Sequence, residues 1–310
     1  MPTSKNKPGK LTPIQQRMHD TSLVMLSQKG TIKDAIFQHS VLCQTFLTYR
    51  DPGKELRIWK QKQGNVSLAI QASESYNPEI EDFEFIGLPF GAKARLILAH
   101  INSEAIRAQS RIVDVEDSMS AFIKRIGLNV DGRTVNEVKN QLRRLTTSTL
   151  SLGYTDGERG LQVDLKIVKA FDIWFPKDER QRVLWNSTVQ LTEDYYNSLV
   201  NHAIPLDERA LAALSHNSMA LDIYAWLAQR LHRINPQQPQ FVSWKDLKNQ
   251  FGSGYAEMYK FKQIFRKYLK LARLQYLQAR IDEEGNKGFW LLHSPSPIEK
   301  KSHFFLDPAK

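Results

Sequence analysis

The stretches Ser118-Met-Ser-Ala-Phe-Ile-Lys-Arg-Ile-Gly127 and Ser243-Trp-Lys-Asp-Leu-Lys-Asn-Gln-Phe-Gly252 share one layout, with a serine, two apolar residues and a closing glycine at matching positions. This layout predicts a short helix in each stretch. The serine supplies a side-chain oxygen for the free N–H groups of the first helical turn. The glycine adopts the left-handed conformation that closes a helix. We therefore expect two copies of one structural unit.

The same elements follow each copy along the chain. A basic amphipathic segment comes next, at residues 133–149 in the first half and 255–274 in the second. Two strand-like runs then flank a turn, Asp156-Gly157 in one half and Gly285-Asn286 in the other, which is typical of a β-hairpin. The predicted fold class is therefore α+β with tandem winged-helix domains, each a helix-turn-helix plus a β-hairpin wing.

Composition divides the chain into regions. The best boundary between the two halves is the polar run Pro176-Lys-Asp-Glu-Arg180. Short strands at residues 41–49, 57–60 and 66–70 are expected to form a small sheet beside the first unit. The predicted regions begin with a basic N-terminal tail and helices of undefined bounds at residues 1–40. A first winged-helix domain with these extra strands follows at residues 41–175, then a second winged-helix domain at residues 182–294 and a C-terminal tail at residues 295–310.

The overall charge indicates the class of partner. The 310 residues carry a formal net charge of +10 at pH 7, which attracts polyanions such as nucleic acid at long range. Cys43 is the single cysteine, so no disulfide can form within the chain. No apolar run approaches the ~20 residues of a membrane span, and residues 1–10 lack the apolar segment of a secretion signal. We expect a cytoplasmic protein with no membrane partner.

The first basic segment has two different faces. Its apolar residues recur at helical spacing and gather on one side, which is expected to face a core. Arginine and asparagine, the residue types that bond the edges of guanine and adenine, lie on the other side or near its borders. The candidate DNA-binding residues of this segment are Arg133, Asn136, Lys139, Asn140, Arg143 and Arg144.

The second basic segment carries a stronger charge signal. No acidic residue occurs between Met258 and Arg273, so the positive charges repel one another without a partner along the helix. Such a face favours an anionic partner, and the alternative for either segment is a solvated amphipathic surface. The candidate DNA-binding residues here are Tyr259, Lys260, Gln263, Arg266, Lys267 and Lys270.

An ordered series of short motifs resembles a known family. It includes Leu88-Pro-Phe-Gly91, Ser103-Glu-Ala-Ile-Arg107, Asn140-Gln-Leu-Arg-Arg-Leu145, Leu221-Asp-Ile-Tyr-Ala-Trp-Leu227 and Ser294-Pro-Ser-Pro297. Together with the stretches Ser118–Gly127 and Ser243–Gly252, these motifs resemble the plasmid-encoded RepA replication initiators over residues 44–297, which is most of the chain.

The resemblance implies a role in DNA replication. Such a protein would be cytoplasmic, would be encoded by a bacterial plasmid, and would bind repeated sites (iterons) in double-stranded DNA at the origin. It would start replication together with host replication proteins, a helicase or an initiator. Many initiators of this architecture also form homodimers that repress their own promoter. The competing prediction is a winged-helix transcriptional repressor without initiator activity.

Catalytic chemistry has little support in the sequence. A phosphate-cradling loop of the form G-x-x-x-x-G-K-[ST] does not occur, and the eight histidines contain no pair at metal-ligand spacing. Tyr195 and Tyr196 are adjacent and could supply a nucleophile, but such a pair is more often one buried and one half-exposed aromatic residue. We predict a protein that is not an enzyme and that uses no metal or other cofactor.

Overall fold

The computed structural model describes residues 12–77, 80–115, 119–156, 159–170 and 187–298. Its helices are α1 (Pro13–Ser27), α2 (Gly91–Arg107), α3 (Met119–Arg125), α4 (Gly132–Thr147), α5 (Glu193–His202), α6 (Glu208–Leu214), α7 (Ser218–Arg230), α8 (Trp244–Phe251) and α9 (Met258–Gln275). Within these ranges, no helix has both the length and the apolar character to cross a lipid bilayer.

The strands form small antiparallel sheets. The described strands are β1 (Ala35–His39), β2 (Ile58–Gln63), β3 (Val66–Ala72), β4 (Glu74–Asn77), β5 (Asp82–Phe85), β6 (Ile112–Val115), β7 (Ser148–Asp156), β8 (Arg159–Leu165), β9 (Ile167–Ala170), β10 (Ser187–Leu191), β11 (Ala203–Asp207), β12 (Gln240–Ser243), β13 (Ile281–Glu284) and β14 (Gly288–Leu291). They pair in the orders β2-β3-β7-β8, β6-β10-β9, β12-β14-β13, β1-β11 and β4-β5. The chain thus mixes helices and strands.

Both halves follow one order of elements. The first half runs α2, β6, α3, α4 and the hairpin β7-β8, and the second runs α7, β12, α8, α9 and the hairpin β13-β14. The strand pairing differs between them. In the second half β12 joins its own hairpin in one sheet, whereas β6 pairs with β10, and β7-β8 joins β2 and β3. The two halves are therefore related in order but not identical in their sheets.

The two short predicted helices end differently. Gly127, after α3, has a φ of +78°, the left-handed conformation that the sequence predicted. Gly252, after α8, has a φ of −108°, so the same prediction was wrong there. A Cβ atom at this position would lie 2.7 Å from the carbonyl oxygen of Lys248 and 3.0 Å from the ring of Phe261. Close packing, rather than backbone conformation, requires this glycine.

The predicted serine cap can be placed in one of the two copies. The hydroxyl oxygen of Ser243 accepts a hydrogen bond from the backbone N–H of Asp246 at 3.1 Å, as predicted for the start of α8. Ser118 lies outside the described residues. At the start of α4 the cap is Asp131, whose carboxylate accepts from the N–H of Thr134 at 2.8 Å.

The strand predicted at residues 41–49 was wrong. Val41–Cys43 forms a turn of 3₁₀ helix, and all three of its side chains are buried. A strand would send alternate side chains to opposite faces, whereas here consecutive apolar residues all pack into the core. The predictions at residues 57–60 and 66–70 were right, since β2 and β3 pair there about the positive-φ turn at Gly64.

Segments near both ends of the described part of the chain contribute to the fold. The helices permitted within residues 11–40 correspond to α1 and a turn of 3₁₀ helix at Ile32–Asp34, whereas Ala35–His39 forms β1 and pairs with Ala203–Asp207. Near the other end, Ile298 forms an isolated bridge with Gly30. The predicted boundary at residues 176–180 lies outside the described residues, and the division into domains stays a prediction.

A buried ion pair joins the two halves. Arg95 on α2 donates to both carboxylate oxygens of Asp222 on α7, at 2.7 and 2.8 Å, and the two side chains are only 9% and 7% exposed. Nearby, the rings of Phe46 and Phe251 stack at 4.8 Å, and the side chain of Gln250 donates to the backbone oxygen of Gln44. These contacts link α2 to α7 and residues 44–46 to α8, and buried residues of α2, α4, α7 and α9 belong to one hydrophobic core.

Candidate nucleic-acid interface

Helix α4 separates its buried and exposed faces as the sequence predicted. Val138, Leu142 and Leu145 are almost fully buried in the core. Asn136 and Asn140 are exposed on the opposite side, with Arg133 at the first turn, whose side chain is 87% exposed. Lys139 and Arg143 are partly exposed at the borders of this face.

Two arginines of α4 form ion pairs that leave them partly exposed. The side chain of Arg133 lies 2.9 Å from Glu137, one turn further along the helix. Arg143 donates to Glu84 on β5 at 3.1 Å, and both side chains are more than a third exposed. Exposed ion pairs of this kind contribute little to stability, so both arginines can exchange a carboxylate for a phosphate at low cost.

Arg144 is held differently from the other candidates. Its guanidinium donates to both carboxylate oxygens of Asp51, to the carbonyl oxygen of Leu88 and to the side-chain oxygen of Asn140, at 2.8–3.2 Å. It also lies 4.9 Å from the ring centroid of Phe90, and its side chain is only 12% exposed. These contacts use most of the donors of the group. Arg144 therefore fixes the position of Asn140 and ties α4 to the loop before α2.

Replacing Arg144 with alanine is expected to destabilise the fold by about 1–3 kcal/mol, because the loss leaves the part-buried carbonyl oxygen of Leu88 without this donor and removes the guanidinium from the ring of Phe90. Lysine should not restore the stability, since one ammonium group cannot reproduce the bidentate contact with Asp51. Urea unfolding of Arg144→Ala and Arg144→Lys measures both effects. Wild-type stability in either variant would contradict the role assigned to this side chain.

Helix α9 presents an exposed stripe of polar residues. Phe261, Phe265, Leu269 and Ala272 are buried beneath it. Residues spaced three, four and seven apart on the other side point outward along the whole helix. The exposed stripe consists of Tyr259, Lys260, Gln263, Lys267 and Lys270.

Arg266 lies beside this stripe rather than on it. Its guanidinium is 2.6 Å from Glu283 on β13 and 4.9 Å from the ring centroid of Trp244 on α8. Trp244 in turn packs edge-on against Phe265 and Phe289. Arg266 thus links α9 to the hairpin and to α8, so that the exposed stripe has a rigid base.

The lysines of the stripe carry uncompensated charge. Among the described residues, Lys260, Lys267 and Lys270 have no carboxylate within ion-pair distance. Lys260 and Lys267 each lie beside a tyrosine ring, at 5.8 and 5.6 Å from the centroids of Tyr259 and Tyr268. Three positive charges on one helical face create a local field that favours an anion. The arrangement suits the phosphate groups of a nucleic acid, which are spaced regularly along one edge of a groove.

The adjacent tyrosines have the environments that were predicted for them. Tyr195 is fully buried and donates to the side-chain oxygen of Asn102 at 2.9 Å, while Tyr196 is partly buried. Burial raises the pKa of the Tyr195 hydroxyl, and the same burial keeps this group away from a substrate. In the part of the chain that the structure describes, no cluster of three metal-ligating side chains occurs.

Comparison with known proteins gives a family and a fold. The model of the family described as "Plasmid encoded RepA protein" matches residues 88–246, from the loop before α2 into α8. A crystal structure of domain 2 and domain 3 of RctB resembles the fold with a TM-score of 0.52 and 10% identity, over 84% of this chain and 99% of that one. A second RctB structure of these domains has a TM-score of 0.48 and 9% identity, over 81% and 94%. No curated protein sequence matches the chain.

Proposed function

The chain belongs to the family of plasmid-encoded RepA proteins, and from this premise we propose that it initiates plasmid replication by binding double-stranded DNA at repeated origin sites, or iterons. The observation that carries the DNA-binding part is the stripe on α9, whose lysines have no carboxylate partner among the residues that the structure describes. A solvated helix commonly mixes both signs of charge on its exposed face, and this face has only one.

We assign a winged helix to each half of the chain. In the second half, α8 and α9 form the helix-turn-helix, and the sheet order β12-β14-β13 is supported by the register of both hairpin strands. In the first half, α3 and α4 take the same places and β7-β8 is the wing. In this motif the second of the two helices enters the major groove of DNA. That helix is α4 in one module and α9 in the other.

The candidate residues divide into two roles. Side chains that can bond base edges are Arg133, Asn136, Asn140, Tyr259 and Gln263, all exposed on their helices. Side chains that hold phosphates are Lys139, Arg143, Lys260, Lys267 and Lys270. Arg144 and Arg266 position their neighbours through the ion pairs with Asp51 and Glu283.

The connection between the halves defines the mechanism that we propose. Because the Arg95–Asp222 pair and the surrounding core join α2 to α7, both modules would contact one DNA site as a single body. The second contact is then intramolecular, which raises its effective concentration. Several molecules on adjacent repeats would add up bending strain and help to open a nearby AT-rich segment.

The remaining parts of the proposal concern partners and chemistry. Host replication proteins would act on the opened DNA, and a homodimer would repress the promoter of the gene. We propose that the chain itself acts by binding and catalyses no reaction. The buried, hydrogen-bonded hydroxyl of Tyr195 supports this view, because a nucleophile must reach the DNA strand that it cleaves.

Gln263 offers a test of base readout. The amide of Gln263 is exposed at the middle of the α9 stripe and can bond adenine through two hydrogen bonds. Gln263→Ala is therefore expected to reduce the preference for the correct base pair by about 1–3 kcal/mol. Affinity for random DNA should stay nearly constant. Competition binding between the protected site and its single-base variants measures the change, and equal losses on specific and random DNA would count against this role.

A replication assay separates the initiator from the repressor. A DNA circle that carries this gene and its flanking sequence, and no other origin, should be maintained in a permissive bacterium. The Lys267→Ala and Lys270→Ala double variant should lose this ability while the protein still folds. Regulation of the promoter without maintenance of the circle would favour the repressor.

A further inference from the structure

A polar cleft lies beside the candidate recognition helix α4. It has a volume of about 610 Å³ and is lined by the face of α4 from Asn136 to Arg144, the start of α2 and the turn between α6 and α7. Asn136 and Asn140 line it from α4, Lys93 from α2, and Ser215 and His216 from the turn. The cleft therefore joins residues of both halves at the edge of the proposed DNA-binding face.

Two helix N-termini meet at this cleft. Helix α2 begins at Gly91 after Phe90, which offers no side-chain cap, and helix α7 begins at Ser218. Asn217 caps α7 by accepting from the N–H of Ala220 alone. At α2 the N–H of Gly91 donates to the carbonyl oxygen of Thr48 at 3.0 Å, and the next N–H groups, of Ala92 and Lys93, have no acceptor within their own helix. Both helix dipoles thus present partial positive charge where Gly91 and Ser218 line the cleft.

A buried hydroxyl in the wall supplies an independent observation. Ser215 is fully buried and lines the cleft, and its hydroxyl has no hydrogen-bond partner among the described residues. Buried polar groups are nearly always paired, so an unpaired one calls for an explanation. A ligand in the cleft would provide the missing acceptor for this hydroxyl.

The charged side chains that line the cleft balance one another, and the helix dipoles add positive potential to them. Two carboxylates are present: Glu137 is bound by both Lys93, at 2.6 Å, and Arg133, and Asp51 is bound by Arg144. Arg133 does not line the cleft, so two cations, Lys93 and Arg144, face two anions there, and the helix dipoles supply the positive excess. Partial burial lowers the pKa of His216, and the positive charges of Arg17 and Lys93 lower it further, so the imidazole also experiences this potential.

We propose that this cleft is a phosphate-binding site, formed by the N-termini of α2 and α7 together with Lys93, His216 and Ser215. The shared chemistry is a tetrahedral anion with several acceptor oxygens. The anion would be either a backbone phosphate of the DNA strand beside α4 or a free phosphate compound. In the first case the inference rests on the proposed function. A backbone phosphate here would fix the register of α4 in the groove, because such contacts set orientation without reading sequence.

His216→Glu is the principal test variant, because it places a carboxylate at the exposed rim without disturbing the core. Gln237→Glu is the matched control, because it introduces the same carboxylate at an exposed site beyond the far end of α7. The 13 residues of that helix span about 20 Å. Ser215→Ala removes only the unpaired hydroxyl and should leave thermal stability unchanged or higher. All three are measured in the full chain, with a short duplex of random sequence over a range of salt concentrations and with inorganic phosphate alone.

We expect His216→Glu to weaken duplex binding by about tenfold and to reduce the slope of log Kd against log salt by about one, whereas Gln237→Glu changes neither. Ser215→Ala should weaken binding in the same direction by a smaller factor. These losses identify the DNA backbone as the source. Loss of inorganic phosphate binding with unchanged duplex binding would identify a free phosphate compound instead.

Other outcomes separate this inference from the proposed function. If the wild-type chain does not bind duplex DNA at all, the proposed function fails. In that case, comparing the binding of inorganic phosphate by the wild type and by His216→Glu decides whether the cleft is a phosphate site. A different result would overturn the inference while the proposed function stands. In that result the wild type binds the duplex, and His216→Glu and Ser215→Ala both bind the duplex and inorganic phosphate as tightly as the wild type does.

Discussion

Replacing Asp222 with alanine is expected to lower the free energy of unfolding by about 3–5 kcal/mol, the usual cost of leaving one member of a buried ion pair without its partner. Burial raises the pKa of this carboxyl even though Arg95 lowers it, so desolvation is large at this position. Without Asp222, the guanidinium of Arg95 would remain between α2 and α7 with two donors unpaired. Urea or thermal unfolding of the full chain measures the loss.

Two further variants show whether the ion pair itself is responsible. Glu74→Ala removes a carboxylate from the exposed pair with Arg57, whose side chains are 63% and 48% exposed, and should cost less than about 1 kcal/mol. Combining Arg95→Met with Asp222→Leu removes both charges and should recover part of the stability. Recovery should be incomplete, because Arg95 also donates to the carbonyl oxygens of Leu47 and Gly91. Equal losses in Asp222→Ala and Glu74→Ala would contradict this account.

We expect the removal of three lysines from α9 to weaken binding to any duplex by roughly a hundredfold, because each lost phosphate contact costs about 1 kcal/mol. The triple variant combines Lys260→Ala, Lys267→Ala and Lys270→Ala. The slope of log Kd against log salt should fall by about three, since each contact releases nearly one counterion. The fold should survive, because all three side chains are exposed. Fluorescence anisotropy with specific and random duplexes measures both quantities.

A matched triple variant removes the same number of charges elsewhere. Lys29, Lys33 and Lys166 are exposed and lie outside α4 and α9, so their replacement by alanine lowers the net charge equally. Only a small, nonspecific loss is expected from this control, through the weaker long-range field. If both triple variants lose the same affinity and the same salt slope, α9 is no more than one charged surface among several.

The faces of α4 and α9 could be predicted because they depend on local periodicity. An apolar stripe at helical spacing identifies the buried side whatever the helix packs against, and Val138, Leu142, Phe261 and Phe265 are buried accordingly. The exposed candidates followed from the same pattern. Short motifs also gave the start of α8 at Ser243, because its cap is formed within three residues.

Contacts between distant residues could not be predicted in this way. β1 forms because Ala35–His39 meets Ala203–Asp207, and no property of either segment alone specifies that pairing. Arg144 was expected to bond a base, but Asp51 and Leu88 occupy its donors in the folded chain. Similarly, β6 pairs with β10 and leaves β7-β8 to another sheet. Tertiary pairing decides which polar side chains remain free, and with them which residues can form a binding site.

In the mechanism that we propose, the two modules act together only if their geometry is constant. The ion pair of Arg95 with Asp222 and the stacked rings of Phe46 and Phe251 lie between them, and α4 and α9 pack on the same core. A site read by both helices then has a defined spacing between its two parts. Asp222→Ala should therefore also reduce the difference in affinity between the full site and either of its halves.

Footprinting the purified protein on the DNA that flanks its own gene, at two salt concentrations, tests the central claim most directly. The account predicts protection of several regularly spaced repeats, each covering adjacent segments for α4 and α9, and persistence of this protection at the higher salt concentration because base contacts contribute to it. Protection that is absent, or that disappears uniformly with salt, would mean that the two basic helices are only charged surfaces.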